Sequence, residues 1–451
     1  MQTQIDRRTA FQSPWGLRRQ GDFFYNAEMT SLYYMKDFQD FTVRPLNKSS
    51  QFWRLLSQNP LLPSSYSMTG RRYGAGLEFL ERLTNRYGKP SFDIQSVQTE
   101  SGCIYDIEEE TLLQKPFCRL LHFRKSDARK KTSFTKRCVS LKQPKLLIVA
   151  PYSGHYATLL RDTVRRLLSC HDVYITDWSN ARTVPLSCGV FTLDTYIDYL
   201  LEFLKLLGPD THILGVCQPA VPVLATVSLL AQDNSPLQPA SMTLMGGPID
   251  TRINPTKVNT IAKNKPLEWF DKSVIANVPH YYPGAGRRVC PGFLMLQGFM
   301  SLNLKTHLGS HKKLFSHLTR GDEDSADAHR KFYDEYRAVL DLPALYFLDS
   351  VRVAFQTHAL PKGKMTWRGD LITPGAIEKT ALLTIEGARD DISGVGQTKA
   401  AHEICKSLPQ NKRHHHLQKS VGHYGVFNGR RWRDEIAPVI ETFIKKHQRT
   451  K

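Results

Sequence analysis

Residues 211–231 read THILGVCQPAVPVLATVSLLA. A short apolar run, THILGVC, is followed at once by a longer apolar stretch of helical character that opens at Pro219. That order predicts a buried strand leading directly into a helix, with Cys217 at the turn between them. A Ser or Cys at a tight strand-to-helix turn stands above the sheet edge, where helix N-terminal amides face whatever binds beside it; this is a nucleophile elbow. The usual pattern has glycine two residues after the nucleophile, and Pro219 takes that place here. Proline suits the first helical turn, where its missing N–H has no intrahelical partner to lose.

The flanking sequence repeats the same unit. KLLIVAP (145–151), DVYITDW (172–178) and SMTLMGGP (241–248) are strand-like, and TLLRDTVRRLLSC (158–170) and TLDTYIDYLLEFLKLLG (192–208) carry apolar residues at helical spacing. Gly208 is placed to close the second helix. Alternating strands and helices predict an α/β fold with a mostly parallel, doubly wound sheet. The strand signal then lapses and returns at TALLTIEG (380–387) and RHHHLQKS (413–420). The expected organisation is an N-terminal extension over 1–140 with one clear helix at 74–88, a first part of the core over 141–248, a largely helical lid over 249–378 and a second part of the core over 379–451. Within the lid, Tyr281, Tyr282, Phe293, Leu296 and Phe299 are candidates for lining an apolar passage, with ordinary packing the plainer role.

A thiol nucleophile needs a histidine to take its proton and a carboxylate to orient that histidine. In this chain order the acid comes after a late strand and the histidine after the last one. Asp390 and Asp391 come after TALLTIEG, and His423 after RHHHLQKS. Asp390, three residues beyond Gly387, is the expected acid; Asp391 is expected to cap the next helix. The oxyanion is expected to meet the backbone N–H of Gln218 and, from the loop after KLLIVAP, that of Ser153. His414, His415 and His416 alternate between the two faces of a strand and so do not converge on a metal ion.

Composition narrows the class. The 451 residues are 41% hydrophobic and 23% charged, as in an ordinary globular protein, with a formal net charge of +19 that favours anionic partners. The eight cysteines form no C-x-x-C pair, which argues against a zinc ribbon or a disulfide framework. A basic cluster, Lys125, Arg129, Lys130, Lys131, Lys136 and Arg137, lacks any nucleic-acid motif and reads as a solvated loop. The N-terminus has no secretory pattern and Pro219 to Ala231 is too short to span a bilayer, so the default expectation is cytoplasmic, with no transmembrane segment.

Six words in order, APYSGHYATLLRDTV (150–164), DWSNAR (177–182), GVCQPAVPVLA (215–225), LMGGPIDTRINPTKVN (244–259), EGARDDISGVGQT (386–398) and GHYGVFNGRRW (422–432), resemble the intracellular poly(3-hydroxybutyrate) depolymerases. The resemblance runs from about residue 60 to the C-terminus. It implies an α/β-hydrolase fold, Cys217 as nucleophile with Asp390 and His423 completing a triad, and no cofactor. Pro219 matches the family's own elbow. The implied substrate and partner is amorphous polyester in storage granules, cleaved to 3-hydroxybutyrate and oligomers, with no nucleic-acid partner. The nearest alternative is an acyltransferase resembling polyhydroxyalkanoate synthase, which uses the same three residue types. A non-catalytic basic granule- or nucleic-acid-binding protein is a further alternative from a different class.

Overall fold

The structure is a computed structural model, and it describes residues 27–99, 102–127, 143–302 and 304–448. Helices α1 (Ala27–Thr42), α2 (Arg44–Ser57) and α3 (Met68–Thr84) come first, followed by strands β1 (Ser96–Gln98), β2 (Ile104–Gln114) and β3 (Cys118–Asp127). Strand and helix then alternate through β4 (Lys145–Val149), α4 (Arg161–Leu167), β5 (Asp172–Trp178), α5 (Leu193–Leu207), β6 (Thr211–Val216), α6 (Ala220–Gln232) and β7 (Ser241–Met245). A long excursion comes next. It holds α7 (Lys257–Asn264), α8 (Leu267–Ser273), β8 (Ala276–Asn277), β9 (Arg288–Cys290), α9 (Gly292–Leu302), α10 (Leu304–Arg320), α11 (Glu323–Arg337), β10 (Leu342–Pro343), α12 (Ala344–Ser350), β11 (Thr366–Trp367) and β12 (Asp370–Leu371). The chain returns with β13 (Ala381–Gly387), α13 (Ala401–Ile404), β14 (Arg413–Gln418) and α14 (Ala437–His447).

The main sheet has the order β1-β2-β3-β5-β4-β6-β7-β13-β14. From β5 to β14 every neighbouring pair is parallel, and β1, β2 and β3 add an antiparallel edge. This sheet and its flanking helices are an α/β-hydrolase fold. The sheet also takes in residues expected in an N-terminal extension, because β1–β3 lie before residue 141. Their signal is weak for a physical reason. β2 is an edge-region strand that keeps Glu108, Glu109 and Glu110 off the core, so the apolar alternation of a half-buried strand is lost. Helices α1 and α2 likewise go beyond the one helix expected in this region.

The central strands β6 and β7 are buried throughout. So is α6 from Ala220 to Ala231, which explains why it reads as uniformly apolar rather than striped. α5 is delimited as expected: Thr192 and Thr195 form a reciprocal cap at its start and Gly208, at φ +78°, ends it.

Of the expected apolar passage, Tyr281, Tyr282 and Phe293 are occupied elsewhere. The hydroxyls of Tyr281 and Tyr282 donate to Asp37 on α1, and Tyr282 and Phe293 pack against Tyr33. Of the basic cluster, Lys125 lies on β3 rather than in a solvated loop. It bonds Gln143 and the carbonyl of His171, and burial pulls its ammonium down to about 8. Arg129, Lys130, Lys131, Lys136 and Arg137 lie outside the described residues.

Candidate active site

β6 ends at Val216 and α6 begins at Ala220, so the chain turns through Cys217, Gln218 and Pro219. Cys217 has φ +65°, a left-handed conformation that costs a residue with a β-carbon on the order of 1–3 kcal/mol. The surroundings hold it there. Its N–H donates to the Met245 carbonyl at 2.7 Å, and its own carbonyl accepts from the Ala220 N–H at 3.0 Å. A β-carbon on Gly215 would press on Val223 at 3.1 Å, so the last turn of β6 needs glycine to let α6 approach.

The carboxylate and imidazole come from the far side of the sheet. Asp390 lies just beyond β13, and its N–H donates to the Gly387 carbonyl at 3.1 Å. Its Oδ1 accepts from the N–H groups of Ile392 and Ser393 at 2.9 and 2.8 Å. That leaves Oδ2 facing Nδ1 of His423 at 2.8 Å, with both side chains buried. Asp391 is exposed, and it does not cap the next helix, which begins at Ala401 without a side-chain cap. With Nδ1 engaged by Asp390, His423 has Nε2 left to take a proton, and Cys217 is near enough to act on the ring. Burial acts against a charged imidazole, yet the Asp390 carboxylate, the nearby Cys217 and the hydrogen bond to Asp390 outweigh it and hold His423 well above its ordinary value. Behind this pair lies Gly246, at φ +55°, where a β-carbon would come within 3.4 Å of both Asp390 Oδ2 and His423 Cε1.

The two backbone donors expected for an oxyanion, Gln218 and Ser153, have N–H groups bound by no other residue among those described. Their elements are joined by a feature that the sequence does not reveal. The Tyr346 hydroxyl on α12 donates to Gln218 Oε1 at 2.6 Å, and Gln218 Nε2 donates to Ser350 at 3.4 Å. The Tyr346 ring stacks on Tyr152, next to Ser153, and Tyr152 stacks on Trp178. A second wall is formed by Phe332, Tyr336 and Tyr424, with the Tyr336 and Tyr424 rings 5.5 Å apart. His155 backs it: its Nε2 lies 3.1 Å from the Tyr336 carbonyl, and burial lowers its ring to about 4. Tyr336 and Tyr346 belong to the long excursion, and no local spacing marks them.

Several other titratable groups have structural partners. His415 bonds Thr384 at 2.9 Å and His416 bonds Gln418 at 2.9 Å, while among the described residues no group of three or more His, Cys, Asp or Glu is arranged around a common point for a metal ion. Burial pushes the thiols of Cys170 and Cys405 up to about 12 and that of Cys290 higher still. Cys103 is disulfide-bonded, and six other cysteines among the described residues are free.

The sheet order and the turn at Cys217, with Asp390 and His423 after the last two strands, are those of an α/β-hydrolase fold. Residues 246–448 match the family model described as PHB de-polymerase C-terminus. Through these residues the chain is similar to the PHB depolymerase family. Among curated proteins none matches the sequence. Similar solved structures include the monoacylglycerol lipase of Paleococcus ferrophilus (10% identity, 68% of this chain and 96% of that one, TM-score 0.40). They also include a thermophilic esterase from Thermogutta terrifontis (12%, 78% and 98%, 0.37) and 2-hydroxy-6-oxo-6-phenylhexa-2,4-dienoate hydrolase from Rhodococcus sp. strain RHA1 (11%, 76% and 99%, 0.39).

Proposed function

We propose that the protein is an intracellular poly(3-hydroxybutyrate) depolymerase that hydrolyses amorphous storage polyester to 3-hydroxybutyrate and oligomers through Cys217, His423 and Asp390. The observation that carries this reading is the strained Cys217 beside His423, whose Nδ1 is bonded to buried Asp390, in a chain whose residues 246–448 match the PHB de-polymerase C-terminus.

In this mechanism His423 Nε2 takes the Cys217 proton as sulfur attacks an ester carbonyl carbon. The oxyanion is held by the N–H groups of Gln218 and Ser153. The carbonyl re-forms as the ester C–O bond breaks, and His423 returns the proton to the departing hydroxyl end. Water, deprotonated by His423, then attacks the thioester; the C–S bond breaks, releasing a carboxylic acid and restoring the thiol. Asp390 keeps the imidazole in the tautomer that both steps need. The excursion over 249–378 acts as a lid that supplies Tyr336 and Tyr346 to the site and sequesters the polymer strand from water.

The test is release of 3-hydroxybutyrate from protein-coated amorphous granules by wild type and Cys217→Ala side by side. Release by wild type alone is expected. Equal release by the variant would eliminate Cys217 as nucleophile, and polymer formation from 3-hydroxybutyryl-coenzyme A would replace hydrolysis with synthase-like transfer.

A further inference from the structure

The N-terminal helices pack inside out. α2 meets α3 through small and polar groups: Ser50 and Gly74 are buried, Asn47 donates to the Glu81 carbonyl at 2.7 Å, and Arg54 pairs with Glu81 at 2.7 Å. α1 is likewise anchored by hydroxyl and carboxylate groups, with Tyr33 donating to buried Asp341 and Asp37 accepting from Tyr282. Apart from Met29 and Tyr33 of α1, which pack in a small apolar cluster, the large apolar side chains of both helices face outward. Phe38 is 69% exposed, Phe52 61% and Trp53 48%, with Phe41 and Leu56 beside them. Leu308 and Phe315 are also exposed, on α10, which packs against α3. Soluble proteins rarely leave aromatic groups contiguous on helices that had a core available; such a face marks a contact with something apolar.

Charge narrows the partner. Neither α2 nor α10 contains an acidic residue, and Lys48 on one and Lys305, Lys312 and Lys313 on the other flank the apolar groups. Asp37 and Asp40 on α1 are engaged by Tyr281, Tyr282 and Lys36, so the charge left beside the apolar groups favours a partner that is apolar and anionic. A second copy of the chain would bring the same cations against each other, which disfavours a self-complementary contact. α10 also packs on α11, which carries Phe332 and Tyr336 of the site wall.

We propose that this face of α1, α2, α3 and α10 docks the protein on the polyester surface itself, whose repeat units are apolar and whose chain ends are carboxylates. The inference rests on the polyester reading of the active site and adds how the protein reaches a solid substrate. Aromatic groups enter the amorphous polymer, and lysines meet chain-end carboxylates, as at an amphipathic interfacial helix.

Docking is tested apart from chemistry by using Cys217→Ala as the parent and co-sedimenting it with bare amorphous poly(3-hydroxybutyrate) particles. The parent is expected to sediment. Adding Phe38→Ser, Phe52→Ser and Phe315→Ser is expected to weaken partition at least about tenfold with an unchanged melting midpoint, since all three side chains are exposed. Lys312→Glu with Lys313→Glu, which disturbs no packing, should weaken it severalfold. Equal sedimentation of parent and both variants would overturn the proposal. So would a concentration-dependent dimer that the serine substitutions dissociate, or tighter binding to phosphatidylglycerol vesicles than to polymer. Patch-dependent sedimentation by a protein that hydrolyses no polymer when Cys217 is intact would support docking while overturning the catalytic reading.

Discussion

Gly247 lies against Ala220 so closely that a β-carbon on the glycine would stand 2.1 Å from the β-carbon of Ala220 and 3.0 Å from the Cys217 carbonyl oxygen. The end of β7 and the first turn of α6 are therefore in backbone contact directly under the elbow. Gly247→Ala is expected to force them apart, lowering stability by about 2–3 kcal/mol, the usual cost of overpacking, and displacing Cys217 from His423. Denaturant midpoints and ester hydrolysis report the two effects; an unchanged midpoint would show that the contact yields freely.

Asp390 and Asp391 are adjacent in sequence and differ in burial and direction. Asp390→Asn should lower activity by about a thousandfold or more, as loss of an orienting carboxylate does in such triads, whereas Asp391→Asn should leave the rate within about twofold. Removing the carboxylate also removes the group that holds His423 well above its ordinary value, so burial should then dominate and the ring should lose its proton at lower pH. NMR of the imidazole in the two variants checks the direction of the shift.

Tyr346→Phe deletes the donor to Gln218 Oε1 and leaves the stacked ring in place. A buried acceptor without its donor costs on the order of 1–3 kcal/mol. Because Gln218 also carries the proposed oxyanion N–H, kcat should fall by about tenfold with little change in KM. A pure stability loss at unchanged kcat would remove Tyr346 from the positioning of the elbow.

Two buried histidines set an acid limit. His155 and His171 are each lowered by burial to about 4, whereas the unfolded chain titrates histidine near 6.5. Between those values the unfolded state binds protons that the native state refuses, so stability falls as pH falls through this window. At pH 5 each contributes a loss of about 2 kcal/mol relative to pH 7. His423 runs the other way: its raised value adds stability that is complete below pH ~6.5 and is lost only as pH rises through the folded value, so it does not mask the acid slope. Urea midpoints at pH 7 and pH 5 test this, and equal midpoints would contradict it.

The parallel core is legible in the sequence because each of its strands is a short apolar run ended by a helix signal. Cys217 and His423 are legible because chemistry places them at fixed points of that pattern. The offset from Gly387 selects Asp390 over Asp391, and the structure gives the reason that offset cannot. Asp390's N–H bonds the Gly387 carbonyl, two further N–H groups bond its Oδ1, and only Oδ2 is left for the imidazole. The edge strands escape notice because Glu108 to Glu110 face outward, and the inverted α1 and α2 are hidden because an apolar stripe does not say which way it points.

From sequence alone, local pattern determined the strand-helix alternation, the turn at Cys217 and the order of acid and histidine, since these depend on residues within a few positions of one another. The tertiary structure decided everything that rests on long-range contact: Tyr346 on Gln218, Tyr336 against Tyr424, Gly247 beneath Ala220, and the outward face of α1 and α2. Those partners are brought together by the closing of the sheet and the packing of the excursion over it, and chain distance carries no record of either.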